Sequence, residues 1–245
     1  MYKNKKAFSL IELSIVLIVI GVLVGGIVAG NSLIKAARIQ SVITDFEKYK
    51  KAAIDFKSKY YYWPGDMPNA YDYWASDASC ANSSAPNGCN GGGDGAVTIR
   101  TEDMRGWQFL KIAGFISGSF SGTAYNTLVP ITLKPGTNIP TSSYEHPVGS
   151  YTTMTVTNSF DLYNATFSST SKFAVSLFGA GSSTDIVEGS MRPTDAKAMD
   201  KKIDDGSAAS GYIAGSNGST TCLTSGEYDI ANNSTRLCVV HYRIE

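Results

Sequence analysis

An apolar segment near the amino terminus constrains this chain more than any other feature. Between Glu12 and Asn31, eighteen residues include only one polar side chain, that of Ser14. A helix of this length can span the hydrocarbon core of a membrane. Lysines precede the segment at positions 3, 5 and 6, so the positive-inside rule places the amino end in the cytoplasm. The sequence therefore predicts a membrane anchor with the rest of the chain outside.

Glu12 is the costly residue of this segment. A charged side chain costs about 2.5–3.5 kcal/mol at the bilayer centre and less near the interface. Cleavage after Ala7 would create a free amine at Phe8, four residues or about 6 Å of helix rise from Glu12. A carboxylate in a first helical turn also suits the exposed N–H groups and the positive end of the helix dipole. We therefore predict that the Glu12 carboxylate pairs with an amine.

The stretch KKAFSLIELSIVLIVIGVL, residues 5–23, resembles the amino terminus of type IV pilins and of the pseudopilins of type II secretion. The resemblance implies that residues 1–7 are a leader, cut off by a membrane-embedded prepilin peptidase between Ala7 and Phe8. It implies that the new Phe8 amine is methylated, and that Glu12 neutralises the amine of a neighbouring subunit during filament assembly. Ala7 is a departure, because the family usually has glycine before the cleavage site.

Helical periodicity continues beyond the apolar segment. Apolar residues recur at spacings of three and four, at Ile39, Val42, Phe46, Tyr49, Ala53, Phe56 and Tyr60. The pattern predicts one helix from Phe8 to about Tyr61, close to 80 Å long at 1.5 Å per residue. Trp63, Pro64 and Gly65 are expected to end it. We therefore divide the chain into a leader (1–7), a stem helix (8–62) and a head (63–245).

Four glycines lie in the apolar part of the stem. Gly21 and Gly25, and again Gly26 and Gly30, form small-x-x-x-small pairs that permit close helix approach in an apolar setting. Each glycine also costs about 1 kcal/mol relative to alanine, so this part of the helix could loosen locally. Glycine is also simply frequent in membrane helices. All three interpretations stay open.

Charge and cysteine content describe the head. The chain has 21 basic and 21 acidic residues, which argues against electrostatic binding of nucleic acid. Its four cysteines are Cys80, Cys89, Cys222 and Cys238. An even number outside the cytoplasm favours disulfides, and sequential pairing is the simplest of three connectivities. Two histidines and no Cys-x-x-Cys spacing disfavour a zinc site.

The head is predicted to be α+β, with the stem helix packed on an antiparallel sheet in the pilin-like arrangement. Residues 151–157 and 172–178 are the clearest strands. One helix is predicted to start at Thr101, and another to run within 192–206 with Thr194 as its N-cap. The lysines beside Asp200, Asp204 and Asp205 predict that this acidic group is a solvated helical face.

No metal, cofactor or catalytic residue is assigned. Asn90 and Asp94 lie in a glycine-rich run, and their oxygens are possible calcium ligands. The spacing does not match a complete calcium loop, however, and Asn, Asp and Gly clusters are typical of turns. The sequence contains no G-x-S-x-G, P-loop, H-E-x-x-H or dinucleotide motif. We therefore predict that the protein is not an enzyme.

The resemblance implies a structural subunit of a type IV pilus or pilus-like filament, or else a minor pseudopilin of a type II secretion system. Its implied partners are prepilin peptidase, other pilin subunits, an inner-membrane assembly platform and, before assembly, membrane lipid. The precursor is expected in the inner membrane, and the assembled subunit in a surface pilus or a periplasmic pseudopilus. A membrane-anchored extracytoplasmic binding protein or enzyme is the alternative from another class.

Overall fold

The fold is α+β, as predicted, with a long amino-terminal helix and an antiparallel sheet in the head. The computed structural model describes residues 9–81, 89–98, 101–122, 136–137, 139–142, 144, 150–157, 172–179, 189–217, 222–232 and 238–244. The predicted cleavage and methylation site, Ala7 and Phe8, lies outside the described residues.

The stem is one helix, α1, Leu10–Tyr60, 51 residues long. At 1.5 Å per residue its length is about 75 Å. It ends where Tyr61 takes a left-handed backbone conformation with φ of 65° and donates its N–H to the carbonyl oxygen of Lys57. This is a common way to close a helix, since it satisfies a terminal carbonyl.

The carboxyl-terminal half of α1 packs on the head through the predicted apolar stripe. Phe46 and Phe56 are almost fully buried, whereas Tyr60 is only partly so. Phe46 stacks on Tyr242 with ring centroids 5.6 Å apart, and Tyr49 meets Trp107 edge-on at 4.9 Å. Such aromatic pairs contribute about 0.5–1.5 kcal/mol each beyond the area they bury.

The described part of the head contains four further helices. They are α2, Ala70–Trp74, α3, Ala78–Ala81, α4, Glu102–Ile112, and α5, Pro193–Ile203. Helix α4 starts after Thr101 as predicted. The predicted N-cap of α5 was wrong, because Arg192 occupies the cap position and Thr194 lies inside the helix. Pro193 accounts for this difference, since its fixed φ favours the first helical position.

The main sheet contains four described strands in the order β1-β2-β6-β3, all antiparallel. They are β1, Ser150–Thr157, β2, Lys172–Gly179, β3, Ile213–Asn217, and β6, Cys238–Arg243. A separate hairpin joins β4, Leu223–Thr224, to β5, Glu227–Tyr228. Strand β6 lies between β2 and β3, although both precede it in the chain.

His241 occupies the centre of this sheet. Its Nδ1 and Nε2 each lie 2.7 Å from a serine hydroxyl, of Ser176 on β2 and Ser216 on β3 respectively. Burial lowers the pKa of His241 to about 3, because the charged form is disfavoured away from water. His241 is therefore a packing residue whose ring nitrogens are both satisfied.

The turn after α1 depends on one glycine. Gly65 has φ of +103°, and a Cβ at this position would overlap the carbonyl oxygen of Glu102 at the start of α4. The chain can therefore pass this close to α4 only because residue 65 has no side chain.

Candidate functional site

The amino-terminal half of α1 has no cover within the described part of the chain. We call residues 10–30 the lower stem and residues 39–60 the upper stem. Large apolar side chains of the lower stem are between 51% and 88% exposed. By length and composition alone, α1 qualifies as a membrane-crossing helix, and its most apolar window is not buried at all. The lower stem is therefore an exposed apolar surface that requires a partner.

Glu12 lies in the first turn of the lower stem, where its side chain caps α1. Its Oε2 accepts the backbone N–H of Ser9 at 2.8 Å, while the Ser9 hydroxyl accepts the N–H of Ile11 at 3.3 Å. This reciprocal arrangement is a capping box, which satisfies donors that a helix start otherwise leaves unpaired. The spacing Ser-x-x-Glu was the available sequence signal, and the interpretation of Glu12 as an amine partner overlooked it.

The four stem glycines lie on open surface. A Cβ added at Gly21, Gly25, Gly26 or Gly30 would meet no atom within 4 Å. Helix α1 continues unbroken through all four. Their small size is therefore not required for any described contact inside the chain, and it leaves shallow places where a second helix can approach closely.

Both disulfides join sequential cysteines, Cys80 with Cys89 and Cys222 with Cys238. All four cysteines are buried. The second bond fixes the start of β6 to the segment that leads into β4. By restricting the unfolded chain, loops of these lengths contribute about 2–3 kcal/mol each.

The glycine-rich segment that contains Asn90 and Asp94 is held by backbone contacts. Asn90 Oδ1 accepts the N–H of Tyr71 at 2.7 Å, and Asp94 Oδ1 accepts the N–H of Ala96 at 2.9 Å. The Asp66 carboxylate receives the N–H groups of Asp94 and Gly95, each at 3.0 Å. These oxygens are therefore engaged in shaping the turn, which is the simpler of the two interpretations of this segment.

The prediction that Asp200, Asp204 and Asp205 form a solvated face was wrong for Asp200. Its carboxylate is fully buried, accepting the hydroxyl of Tyr228 at 2.8 Å and the N–H of Gly206 at 3.0 Å. Burial raises the pKa of Asp200 to about 6. Although the three carboxylates lie close together, all of them accept hydrogen bonds from residues that follow α5. They fix the connection from α5 to β3.

The geometry defines a stem-and-head protein, in which an exposed apolar half-helix continues directly into a disulfide-bonded head. Residues 2–28 match the family model described as the prokaryotic N-terminal methylation motif. This motif is the signature of type IV pilins and pseudopilins, which confirms the resemblance read from the sequence. It indicates a type IV pilin-like or pseudopilin protein with a membrane-anchored precursor, and it implies processing by prepilin peptidase and assembly with other pilin subunits. Searches of curated proteins and of solved structures gave no match.

Proposed function

We propose that the chain is a structural subunit of a type IV pilus or pilus-like filament, cut between Ala7 and Phe8, methylated at Phe8 and assembled through α1. One observation carries the proposal: a single unbroken helix has an exposed apolar lower stem and an upper stem buried in its own head. The proposed division is a leader (1–7), a stem (8–62) and an extracytoplasmic head (63–245).

The lower stem can be covered in two ways, by lipid before assembly and by the same segment of other copies afterwards. Both environments are apolar, so the hydrophobic effect alone does not favour one over the other. Preference for the assembled state must come from features that lipid cannot match. The glycine pairs supply close helix approach, and Glu12 supplies a charge that another subunit can neutralise.

The helix cap and the proposed charge pair do not compete for Glu12. An ionised carboxylate offers about four lone-pair sites on two oxygens. The Ser9 N–H uses one of them, which leaves capacity for the Phe8 amine of a neighbouring subunit. Burial of this charge is favourable only when that amine is in register, so the pair selects the correct stagger between subunits.

Substitution of Glu12 separates the two roles. A glutamine keeps the capping-box geometry but has no charge. We expect Glu12→Gln and Glu12→Ala to reduce filament yield alike, because both remove the charge. Ser9→Ala, which removes one cap contact, is the matched control and should assemble nearly as well as the wild type. Yield is measured in sheared fractions, and the amino terminus of each variant is checked by mass spectrometry.

Normal filament yield from Glu12→Gln, with Phe8 as the new amino terminus, would contradict the proposed pairing. Mass spectrometry of the wild type also separates the candidate functions. N-methylated Phe8 in sheared surface material supports a pilus, whereas its restriction to membranes supports a pseudopilin or a scarce minor subunit. A retained Met1 in a monomeric protein would favour an anchored binding protein or enzyme.

A further inference from the structure

The two glycine pairs of the lower stem lie on different sides of α1. Gly21 and Gly25 share one face, because residues four apart are neighbours on a helix, and Gly26 and Gly30 share another. Five residues separate the matching members of the two pairs, which corresponds to a rotation of about 140° at 3.6 residues per turn. The lower stem therefore presents two glycine faces that point away from each other, which we call the 21/25 face and the 26/30 face.

Glu12 belongs to the 26/30 face. It precedes Gly30 by eighteen residues, which is about five turns of an α-helix, so the two residues lie on one line along α1. It precedes Gly21 by nine residues, about two and a half turns, so Gly21 lies on the opposite side. Glu12 is the one charged residue among residues 10–30. One glycine face therefore carries the charge of the lower stem, and the other face carries none.

This charge makes contact between like faces unfavourable. Two 26/30 faces in symmetric contact would place two Glu12 carboxylates at the same height on facing sides of an apolar interface, where like charges repel each other. Two 21/25 faces in contact would leave both Glu12 side chains directed at lipid, where an unpaired charge is costly. Contact between one 26/30 face and one 21/25 face avoids both costs.

Contact between unlike faces also fixes the offset between two parallel stems. When Gly26 is level with Gly21 of the neighbouring subunit, Gly30 is level with Gly25 of that subunit, because both pairs have the same spacing. The offset is five residues, or about 7.5 Å along the helix axis. At this offset Glu12 lies within one residue of the level of Phe8 in the neighbour. The glycine spacing and the charge of Glu12 therefore lead independently to the same offset.

We propose that the 26/30 face of one subunit binds the 21/25 face of the next subunit, with the neighbour displaced by about 7.5 Å toward its head. The proposal rests on the filament role proposed above and adds which faces meet and at what offset. An interface between unlike faces is heterologous, and it produces an open helical assembly when the subunits do not close into a ring. The axial offset prevents such closure, so this contact produces a filament.

Disulfide cross-linking between two differently tagged subunits tests the contact. The four native cysteines are all disulfide-bonded, so an introduced cysteine supplies the free thiol. Full-length Gly21→Cys and Gly26→Cys subunits are produced together, their sheared filaments are oxidised, and mixed dimers are identified by the two tags on a gel without reductant. We expect mixed dimers from this combination, and likewise from Gly25→Cys with Gly30→Cys.

Val22→Cys is the matched control for Gly21→Cys. Val22 is only one residue higher on α1 but about 100° round the helix, so it lies outside the 21/25 face. Together with Gly26→Cys it should form several-fold fewer mixed dimers than Gly21→Cys does. Gly26→Cys subunits alone should also form few dimers, because two 26/30 faces do not meet.

The outcomes separate this contact from the filament role. Equal cross-linking by Val22→Cys and Gly21→Cys, or stronger cross-linking by Gly26→Cys alone, in filaments of normal yield would overturn the contact and leave the filament role intact. A wild type that retains Met1 and forms no filaments would overturn both.

Alanine variants provide a second measurement if cysteine at Gly21 or Gly26 keeps subunits out of filaments. The contact requires that Gly21→Ala and Gly26→Ala both enter filaments less readily than Val22→Ala, because an added Cβ prevents close approach of the two stems. Equal incorporation of the three variants would overturn it.

Discussion

The lower and upper stem are two parts of one helix that have opposite surroundings. Phe56 in the upper stem is fully buried, with Phe109 stacked at 6.0 Å. Leu17 in the lower stem is 62% exposed. The upper stem finds its partners in the same chain, and the lower stem must find them elsewhere. One continuous helix therefore packs on its own head in its upper part and leaves an apolar surface uncovered by the described residues in its lower part.

The largest expected effect is on the stability of the head. It compares the truncation of one side chain in the upper stem with the truncation of one in the lower stem. Phe56→Ala should lower the free energy of unfolding of the head by about 3–5 kcal/mol, because it leaves a cavity in a packed core. Leu17→Ala should leave that free energy unchanged, since Leu17 is 62% exposed and lies outside the core formed by the described residues. Urea unfolding of both variants in neutral detergent, followed by near-ultraviolet circular dichroism, measures the difference.

A loss of head stability in Leu17→Ala would break the comparison, because it would show that the lower stem supports the fold. Val42→Ala, at a buried upper-stem position, serves as a second core variant of smaller volume change. Its cost should fall below that of Phe56→Ala.

The next effect concerns a buried charge in the head, the carboxylate of Asp200. It tests whether burial makes the stability of the head depend on pH. Burial raises the pKa of Asp200 from its ordinary value of 3.8 to about 6 in the folded protein. Its contribution to stability is therefore complete below about pH 4 and is lost as the pH rises toward 6. The free energy of unfolding of Asp200→Asn, relative to that of the wild type, should therefore rise by up to about 3 kcal/mol between pH 4 and pH 6. Above pH 6 the difference should stay constant.

Asp205→Asn is the matched control for this pH dependence. Hydrogen bonds from Ser210 and Ser207 lower the pKa of Asp205, so its contribution is present above about pH 4 and is lost at lower pH. The two variants should thus depart from the wild type in opposite directions and in different pH ranges. Denaturant titrations at each pH provide the values, and parallel curves for the two variants would contradict the assignment.

The smallest effect concerns the lower stem alone. Gly25→Ala should stabilise the helix by about 1 kcal/mol, because alanine has the higher helix propensity and the added Cβ meets no neighbour. Head stability should not change. If Gly25 lies at a close contact between subunits, filament yield falls despite the more stable helix.

Val22→Ala is the control for Gly25→Ala, since it makes the surface smaller one turn away. It should reduce filament yield less than Gly25→Ala does. Equal yields from wild type and Gly25→Ala would leave the four glycines as ordinary membrane-helix residues.

The stem helix and its buried stripe could be predicted from the sequence, because helical periodicity depends only on residues that are close together in the chain. The buried residues of the upper stem recur every three or four positions, and the strands beginning near Tyr151 and Lys172 show the expected β-branched residues. Asp200 was misread because its environment is not local: lysines follow it in sequence, but the Tyr228 hydroxyl that binds it lies 28 residues away. The capping box of Ser9 and Glu12 is a local feature, but a glutamate beside an apolar segment also favours a charge pair, and the sequence alone does not choose between the two.

The order of the main sheet could not be derived from alternation of residues along strands. Periodicity identifies a strand and the face it buries, but not its neighbours. Pairing of β6 with both β2 and β3 brings together the Ser176, His241 and Ser216 side chains, which no spacing in the sequence predicts. A pocket beside Arg38 likewise joins residues of α1 to the start of α5, more than 150 residues later.

The central position of β6 also sets the timing of folding. Of the four described strands of the main sheet, β6 is the last to be synthesised, yet β2 and β3 each need it as a partner. Strand β2 can pair with β1 before β6 is made, whereas the only described main-sheet partner of β3 is β6, which follows it in the chain. These four described strands can therefore reach their full pairing only after β6 has been synthesised, when α1 has long been made.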